Sequence, residues 1–460
     1  MSKRASEAQD VASPVLEIVT DESGPGIRFR VEGSGRAFEV VDGLGSVLFA
    51  VDKTGMGSPE APAKVWPAAV PQSMVTTFAS GHGYTTNGAG VASSNLNDTN
   101  DYALGSQSVS ITTAANNQAA QIRKLAGSSL DLTGKSVAVW LKVDDITHLQ
   151  SIDLYIGSSS LANFYRFRLQ TQGTASTYYI NSGEWVRLVV NWGDLTQTSG
   201  APVRTALTDW QISVKDDGLG AVTYHVGGIS SVAEPSTKWA NGVVSLVFDD
   251  GWLSQFNEAR KKMDTYGFPG TAYIIRDLID NNVNNMTMAQ LKQLQEQSGW
   301  QIAAHADTVA SHNTRYVNLT QNQTEAEFRN LKAWLRQNGF GGGDDFAYPG
   351  GDFNPAVLAA ARKYFRSART IIDVTHETIP VPNLLRLRAH TTISTDTTAA
   401  IQTLIDNAFA NKHWLILLFH EIVTSPGSST QYSIANFGTI IDYLNTKGIP
   451  VATVADVLKT

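Results

Sequence analysis

The apolar run Val243-Val244-Ser245-Leu246-Val247-Phe248 stops on two adjacent carboxylates and a glycine, Asp249-Asp250-Gly251. A continuous apolar strand is buried on both faces, as in parallel sheets, which build their sites at the carboxyl ends of their strands. Successive side chains of a regular strand point to opposite faces, so both acids reach one site only where the strand breaks. Gly251 permits that break. Two crowded negative charges are costly without a cation or a shared proton, so the pair asks for a metal. The chain has no cysteine, which leaves His, Asp and Glu as the ligands on offer.

Strands and amphipathic helices alternate around this motif. Phe256, Ala259, Met263 and Tyr266 share a helical face before Gly267, and Thr271–Ile275 is the next strand. Thr287 and Gln290 form a capping box ahead of Leu291 and Leu294. Gln301–Ala304 is a strand ending at His305. Thr324 and Glu327 predict the start of a helix carrying Phe328, Leu331 and Leu335, stopped by Gly339. Trp414–Phe419 is an apolar strand ending at His420, and Phe437, Ile440, Ile441 and Leu444 precede a stop at Gly448. This βαβ alternation predicts an α/β fold, a distorted (β/α) barrel over residues 237–460.

The preceding residues differ in kind. Between 73 and 236, segments such as Ser136–Val143, Ile152–Ile156, Phe164–Leu169 and Trp185–Val190 alternate with glycine turns, which predicts a β-sandwich of jelly-roll type. It looks like a carbohydrate-binding sandwich. Tyr178, Tyr179 and Trp192 are the aromatics considered for stacking on sugar, although most aromatics of a sandwich fill its core. Residues 1–72 carry a ten-residue period that aligns Val31, Val41 and Val51, then Glu32, Asp42 and Asp52, then Gly35, Gly45 and Gly55. Each unit reads as a short strand and an acidic-glycine turn, and so few strands bury little surface alone. A Pro- and Ala-rich linker, with Pro59, Pro62, Pro67 and Pro71, follows. The chain is therefore read as multidomain. Its net charge of −7 offers no footprint for nucleic acid, and no apolar run predicts membrane insertion. The first residues lack the apolar core of a signal peptide, so classical export is not expected.

His305, His312 and Asp250 would make a two-histidine, one-carboxylate centre with an open position, the pattern of a catalytic zinc site. Asp307 offers a competing oxygen on the same loop. Glycosidase chemistry also uses two carboxylates, but they flank the scissile bond about 5 Å or more apart. Adjacent acids beside histidines suit a metal better.

On these residues, 240–458 resembles a polysaccharide deacetylase of carbohydrate esterase family 4, the nodulation-type chitooligosaccharide deacetylase domain. Its first motif, Thr-Phe-Asp-Asp-Gly, is matched by Val247-Phe248-Asp249-Asp250-Gly251. The match implies Asp249 as catalytic base and Asp250 as metal ligand. Its second, His-Ser/Thr-x-x-His, corresponds to His305 through His312 with three extra residues between the histidines. Its third, of the kind Arg-x-Pro-Tyr-Gly, corresponds to Ala347-Tyr348-Pro349-Gly350-Gly351 without the arginine that orients the base. Arg369 or Arg388 is expected to replace it. Tyr348 and Pro349 are assigned to the substrate and oxyanion side, through a backbone N–H near Tyr348. The fourth motif, an acid with a tryptophan, has no match. The fifth, Leu-x-x-His, matches Leu417-Leu-Phe-His420 and implies His420 as general acid.

The resemblance implies a metal-dependent hydrolase that removes acetyl groups from a cell-surface or cell-wall polysaccharide. Zinc is the expected metal, and cobalt, nickel and iron suit the same ligands. The N-terminal repeat, through Leu48–Gly55, resembles the attachment end of a bacteriophage tail protein. That implies a homotrimer on a virion, in company with other tail proteins, acting on the host surface from outside. A secreted bacterial polysaccharide or xylan acetyl esterase is the first alternative, and a catalytically impaired carbohydrate-binding tail protein is the second.

Overall fold

A computed structural model of the chain describes residues 38–41, 47–51, 57–58, 72–173, 178–235 and 238–459. Three short strands, Phe38–Val41, Val47–Val51 and Gly57–Ser58, pair antiparallel in chain order. Val41 and Val51 of the ten-residue repeat lie in the first two. The unit around Val31, the turn glycines Gly35, Gly45 and Gly55, and the proline linker lie outside the described residues.

Two antiparallel sheets follow. One runs Leu195–Ser199, Asn163–Thr171, Leu149–Ser158, Asp209–Asp216, Ala120–Lys124, Thr85–Asn87. The other runs Val186–Val190, Lys135–Val143, Thr223–Ala233, Ser108–Thr113, Val91–Asp98, with Gln72–Thr76 paired onto Thr223–Ala233. Alternate residues of the two inner faces, among them Leu154, Ile156, Phe167, Ile212, Val139, Leu141 and Tyr224, form one buried layer. The aromatics considered for sugar stacking belong to this interior. Trp192 lies edge-on to Tyr165 at 5.1 Å and to Phe167 at 5.5 Å, and its indole N–H donates to Lys135 O at 2.8 Å. The Tyr179 hydroxyl donates to Arg187 O, and Tyr178 is buried as well. Their rings are spent on packing, so none of the three presents a face to a sugar.

The last 220 residues or so wind a parallel sheet of seven strands in the spatial order Ser367–Arg369, Gly342–Ala347, Gln301–Ala306, Thr271–Ile275, Val243–Asp250, Trp414–Phe419, His390–Thr391. The two ends meet. Leu387 N–H donates to Ala368 O and Thr370 N–H to Leu387 O on one side, while Thr392 N–H donates to Leu418 O on the other. Val243, Val247, Tyr273, Ala303, Ala347, Leu387, Trp414, Ile416 and Leu418 fill the barrel interior.

The helices outside follow their capping chemistry. Thr287 and Gln290 complete a capping box on Met288–Ser298, which ends at Gly299 with φ 67°. The helix with Phe328, Leu331 and Leu335 starts earlier than Thr324 suggests: it spans Gln321–Gln337, and its capping box is Thr320 with Gln323. Glu327 is thereby inside the helix and free for another partner. No helix among the described residues is long and apolar enough to cross a membrane.

Sandwich and barrel are bonded to each other. Arg386 donates to Tyr179 O at 2.5 Å and pairs with Glu184. The Asn407 amide donates to Gly193 O at 2.9 Å, and His376 meets the buried Asp194 carboxylate at 2.8 Å.

Candidate active site

Asp249 follows Ser245 and Val247 on the inward side of its strand. Asp250 should point away, but it takes φ +70° and Gly251 takes φ +74°. This left-handed step is uncommon outside glycine, although Asp tolerates it better than bulky residues. It swings the second carboxylate back to the barrel mouth. Asp250 Oδ2 accepts from the Trp252 indole at 3.1 Å. Oδ1 lies 3.5 Å from His305 Nε2 and 3.4 Å from His312 Nε2.

Both histidines are oriented from behind. His305 Nδ1 is 2.8 Å from Ala347 O, and since a carbonyl only accepts, Nδ1 carries the proton and Nε2 faces the site with a lone pair. His312 rides on the short helix Val309–Thr314, capped by Thr308. Thr308 Oγ1 donates in turn to Glu327 at 3.1 Å, and Val309 N–H donates to the Asp277 carboxylate at 3.0 Å. The three residues that lengthen the histidine spacing are therefore taken up as helix. Asp307 does not compete for the site: it is buried 3.0 Å from Arg276, and burial pushes its carboxyl up to about 6.

Asp250, His305 and His312 each offer a ligand atom within 4.8 Å of the others. Burial works to raise the Asp250 carboxyl, but the hydrogen bonds and charges of the two histidines outweigh it and hold the group well below the usual carboxylate range. Yet Asp250 Oδ1 is buried without a hydrogen bond of good geometry. Ligands about 2.0–2.1 Å from a tetrahedral ion lie about 3.3–3.4 Å from one another. The separations of 3.4 and 3.5 Å around the orphaned oxygen match that spacing, so these residues fit a divalent metal.

Asp249 is held differently. The Nη2 of Arg369 donates to both its oxygens, at 2.7 and 2.6 Å, and the Arg369 side chain is wholly buried. Arg369 pairs in register with Ala347 on the neighbouring strand. The arginine that holds Asp249 therefore enters from one strand over, level with Ala347, the position where motif three lacks its arginine. Arg388 does not reach Asp249. It sits between the inward-facing Leu387 and Ala389, so it points out of the barrel, where it pairs with Glu377 at 2.9 Å and donates to Val189 O at 3.0 Å.

His420 follows Trp414, Ile416 and Leu418 on the inward parity of its strand and is half-buried, with its Nδ1 unpartnered. Gln255 ties this strand end to that of the acids: its amide donates to Asp249 O at 2.6 Å and to His420 O at 3.1 Å. Gln255 lies in a π-helical turn, Gln255–Ala259, a form concentrated at functional sites. Sequence reasoning treated that stretch as an ordinary amphipathic helix and missed Gln255, since periodicity carries no signal for one wide turn.

The turn at Tyr348 and Pro349 limits which backbone N–H near Tyr348 is free. Tyr348 N–H is spent on Arg369 O at 3.1 Å, its hydroxyl donates to Leu385 O, and the side chain is fully buried. Pro349 has no N–H. The first backbone donor this turn can offer is that of Gly350, an exposed residue at φ +64°. A Cβ there would lie 2.7 Å from Arg315 Cζ, so the glycine makes room for that guanidinium. Arg315 itself donates to the carbonyl of His312 at 3.2 Å.

Residues 237–365 match the family model for polysaccharide deacetylase. The chain carries a polysaccharide deacetylase domain and is an enzyme of that class. The matched stretch contains Asp249, Asp250, His305, His312 and the Tyr348–Gly351 turn, and it stops short of Arg369 and His420. The chain is also similar to three solved structures. They are a family 4 esterase domain of a multidomain xylanase from the hindgut metagenome of Trinervitermes trinervoides (19% identity, 48% of this chain and 90% of that one, TM-score 0.34); a family 4 carbohydrate esterase from Streptomyces lividans with acetate (19%, 45% and 90%, TM-score 0.32); and a family 4 acetyl xylan esterase from Clostridium thermocellum with a cobalt ion (18%, 47% and 90%, TM-score 0.33). No curated protein matches the chain.

Proposed function

We propose that the barrel is a metal-dependent hydrolase that removes acetyl groups from a cell-surface or cell-wall polysaccharide. The observation that carries this reading is the division of labour between the adjacent acids. Asp250 aims an orphaned oxygen at both histidine nitrogens, 3.5 and 3.4 Å away, while Asp249 is pinned by Arg369 and approaches only His305, its Oδ2 lying 3.8 Å from Nε2.

In this reading Asp250, His305 and His312 hold the ion, zinc first, with cobalt, nickel and iron suited to the same donors. A divalent cation held there would polarise the acetyl carbonyl and would lower the pKa of a bound water from about 15.7 to about 7. Asp249, oriented by Arg369, accepts the proton of the attacking water. The Gly350 N–H faces the developing oxyanion. His420 protonates the departing amine or alkoxide, a contribution of about 10²- to 10⁴-fold. Arg369 on Asp249 supports a working enzyme over an impaired binding protein, because the missing motif-three arginine was the ground for impairment.

Acetate release from a panel of acetylated glycans is the test. EDTA should abolish it, metal analysis should find about one ion per chain, and Asp249→Ala should remove turnover while sparing metal content. Normal acetate release by Asp249→Ala would refute the assignment of the base.

We further propose that residues 1–72 attach the enzyme to a larger assembly, as a homotrimer on a virion tail that works outside the host. The ten-residue repeat supports this, since three short strands bury too little to stand alone. Light scattering should give about three chain masses, and a monomer with this segment intact sinks the idea.

A further inference from the structure

The sandwich sheet that contains Leu149–Ser158 sends Leu154, Ile156, Phe167, Ile212 and Ile122 into the core, so the residues between them face outward. Pairing register lines those residues up. Gln197 stands opposite Arg166, Arg166 opposite Tyr155, Tyr155 opposite Gln211, Gln211 opposite Arg123, and Arg123 opposite Thr85. One row thus crosses all six strands at right angles, about 24 Å long at about 4.8 Å per strand. Every side chain in it can form hydrogen bonds, and none is acidic or aliphatic.

The row has an aromatic centre and a charge bias. Tyr155 is half-buried, met edge-on by Phe164 at 5.2 Å, with the Arg166 guanidinium 5.8 Å from its ring. Arg123, Arg166, Arg168 and Lys215 share this face with one available carboxylate, Asp153. Asp209, at the end of its strand, is wholly buried and accepts from the backbone N–H groups of Ala126 and Leu161. A surface that serves only solubility interleaves both signs, whereas this one concentrates cations in a chain of net charge −7. The Arg123 guanidinium has no hydrogen-bond or ion-pair partner among the described residues. The neighbouring row shows which anion these guanidinia accept: Arg166 donates through Nε and Nη2 to the two oxygens of Asp153, at 3.1 and 3.3 Å, and Arg168 donates to the same carboxylate.

We propose that this row is a binding site for an acidic polysaccharide, a chain of carboxylate-bearing sugars laid across the strands. A sugar ring rests on Tyr155, a carboxylate pairs with the unpartnered Arg123, and the amide N–H groups of the exposed Gln197, whose oxygen accepts from Arg166, take hydroxyl groups. The inference rests on the reading of this chain as a polysaccharide enzyme, and it narrows the substrate class to glycans with acidic residues. The site stands on the sandwich, and no residue of the row bonds to the barrel among the described residues, so binding and turnover separate experimentally.

Affinity electrophoresis of the full chain tests this, in gels containing polygalacturonate or neutral hydroxyethylcellulose, with a DNA gel shift alongside. Polygalacturonate should retard the protein, the neutral polymer should not, and salt should weaken the effect. Arg123→Glu, which removes no internal partner, should weaken apparent affinity about tenfold or more with an unchanged melting temperature, and Tyr155→Ala should weaken it similarly. Asp249→Ala should bind as the parent does while releasing no acetate. If acetate release fails but this pattern holds, the enzyme reading falls and the site stands. Equal retardation of Arg123→Glu and parent overturns the site, as does equal retardation by the neutral polymer. Tighter binding of DNA than of polygalacturonate overturns it in favour of a nucleic acid.

Discussion

Removing Arg369 while leaving Asp249 in place is the sharpest perturbation of this site. The Asp249 carboxylate is buried, and a single nitrogen, Arg369 Nη2, satisfies both its oxygens at 2.7 and 2.6 Å. Breaking a buried pair by deleting one partner costs about 3–5 kcal/mol, because the remaining charge is left without compensation. If that cost falls on the orientation of the base, kcat/KM drops by about 10²-fold to several 10³-fold, at about 1.4 kcal/mol per tenfold. Arg369→Ala should show this loss in an acetate-release assay, with urea unfolding run in parallel to separate lost stability from lost rate. Arg369→Lys should retain more activity than Arg369→Ala, because one donor nitrogen already serves both oxygens. Register supplies a rescue. Ala347 is paired with Arg369, so Ala347→Arg in the Arg369→Ala background places a guanidinium in the emptied space and should recover part of the rate. Unchanged kcat/KM in Arg369→Ala, or an equal loss in Arg388→Ala, would refute the reasoning.

Two further outcomes are expected. Glu327→Ala removes the acceptor of the Thr308 hydroxyl and loosens the cap of the helix that carries His312; metal affinity should fall about 10- to 100-fold in a competition titration, and an unchanged affinity argues against that support. His413 is buried against His376 at 4.7 Å with both ring nitrogens unpartnered, and burial, with the charges of His376 and Arg388 outweighing that of Asp194, lowers it to about 3. The unfolded chain then binds the proton first, so stability is full above about pH 6.5 and is lost as pH falls towards 3, by about 3 kcal/mol between pH 6.5 and 4. His413→Phe should flatten that difference in denaturation curves taken across this range, and parallel curves for the two proteins would contradict it.

The site was legible wherever its chemistry coincided with a strand end. Asp249, His305 and His420 each follow an apolar run, and a parallel barrel gathers such residues at one mouth whatever the details of its loops. His312 was legible as a second histidine, although the helix that presents it was not, because the Glu327 that supports its cap was read as a cap of its own helix. The capping box at Thr287 was readable since it is local, and the one at Thr320 was misplaced because Thr324 and Glu327 fit the same pattern four residues on. The sandwich aromatics illustrate a different limit. Tyr179 and Trp192 look identical in sequence whether they cover a core or a sugar, and only burial separates the two.

By itself, the sequence determined the parallel barrel, the acid pair at its mouth and the residue types able to hold a cation, because hydrophobic period and strand-end chemistry are properties of contiguous residues. Which arginine holds Asp249, which backbone N–H is left for an oxyanion, and how Gln255 joins two strand ends depended on lateral register and on which way each side chain faces. Ala347 opposite Arg369 is a pairing between residues 22 positions apart. No local propensity encodes it, since it follows from how seven strands close into a barrel of one stagger. Tertiary structure alone decided that the arginine missing from one strand is supplied by its neighbour.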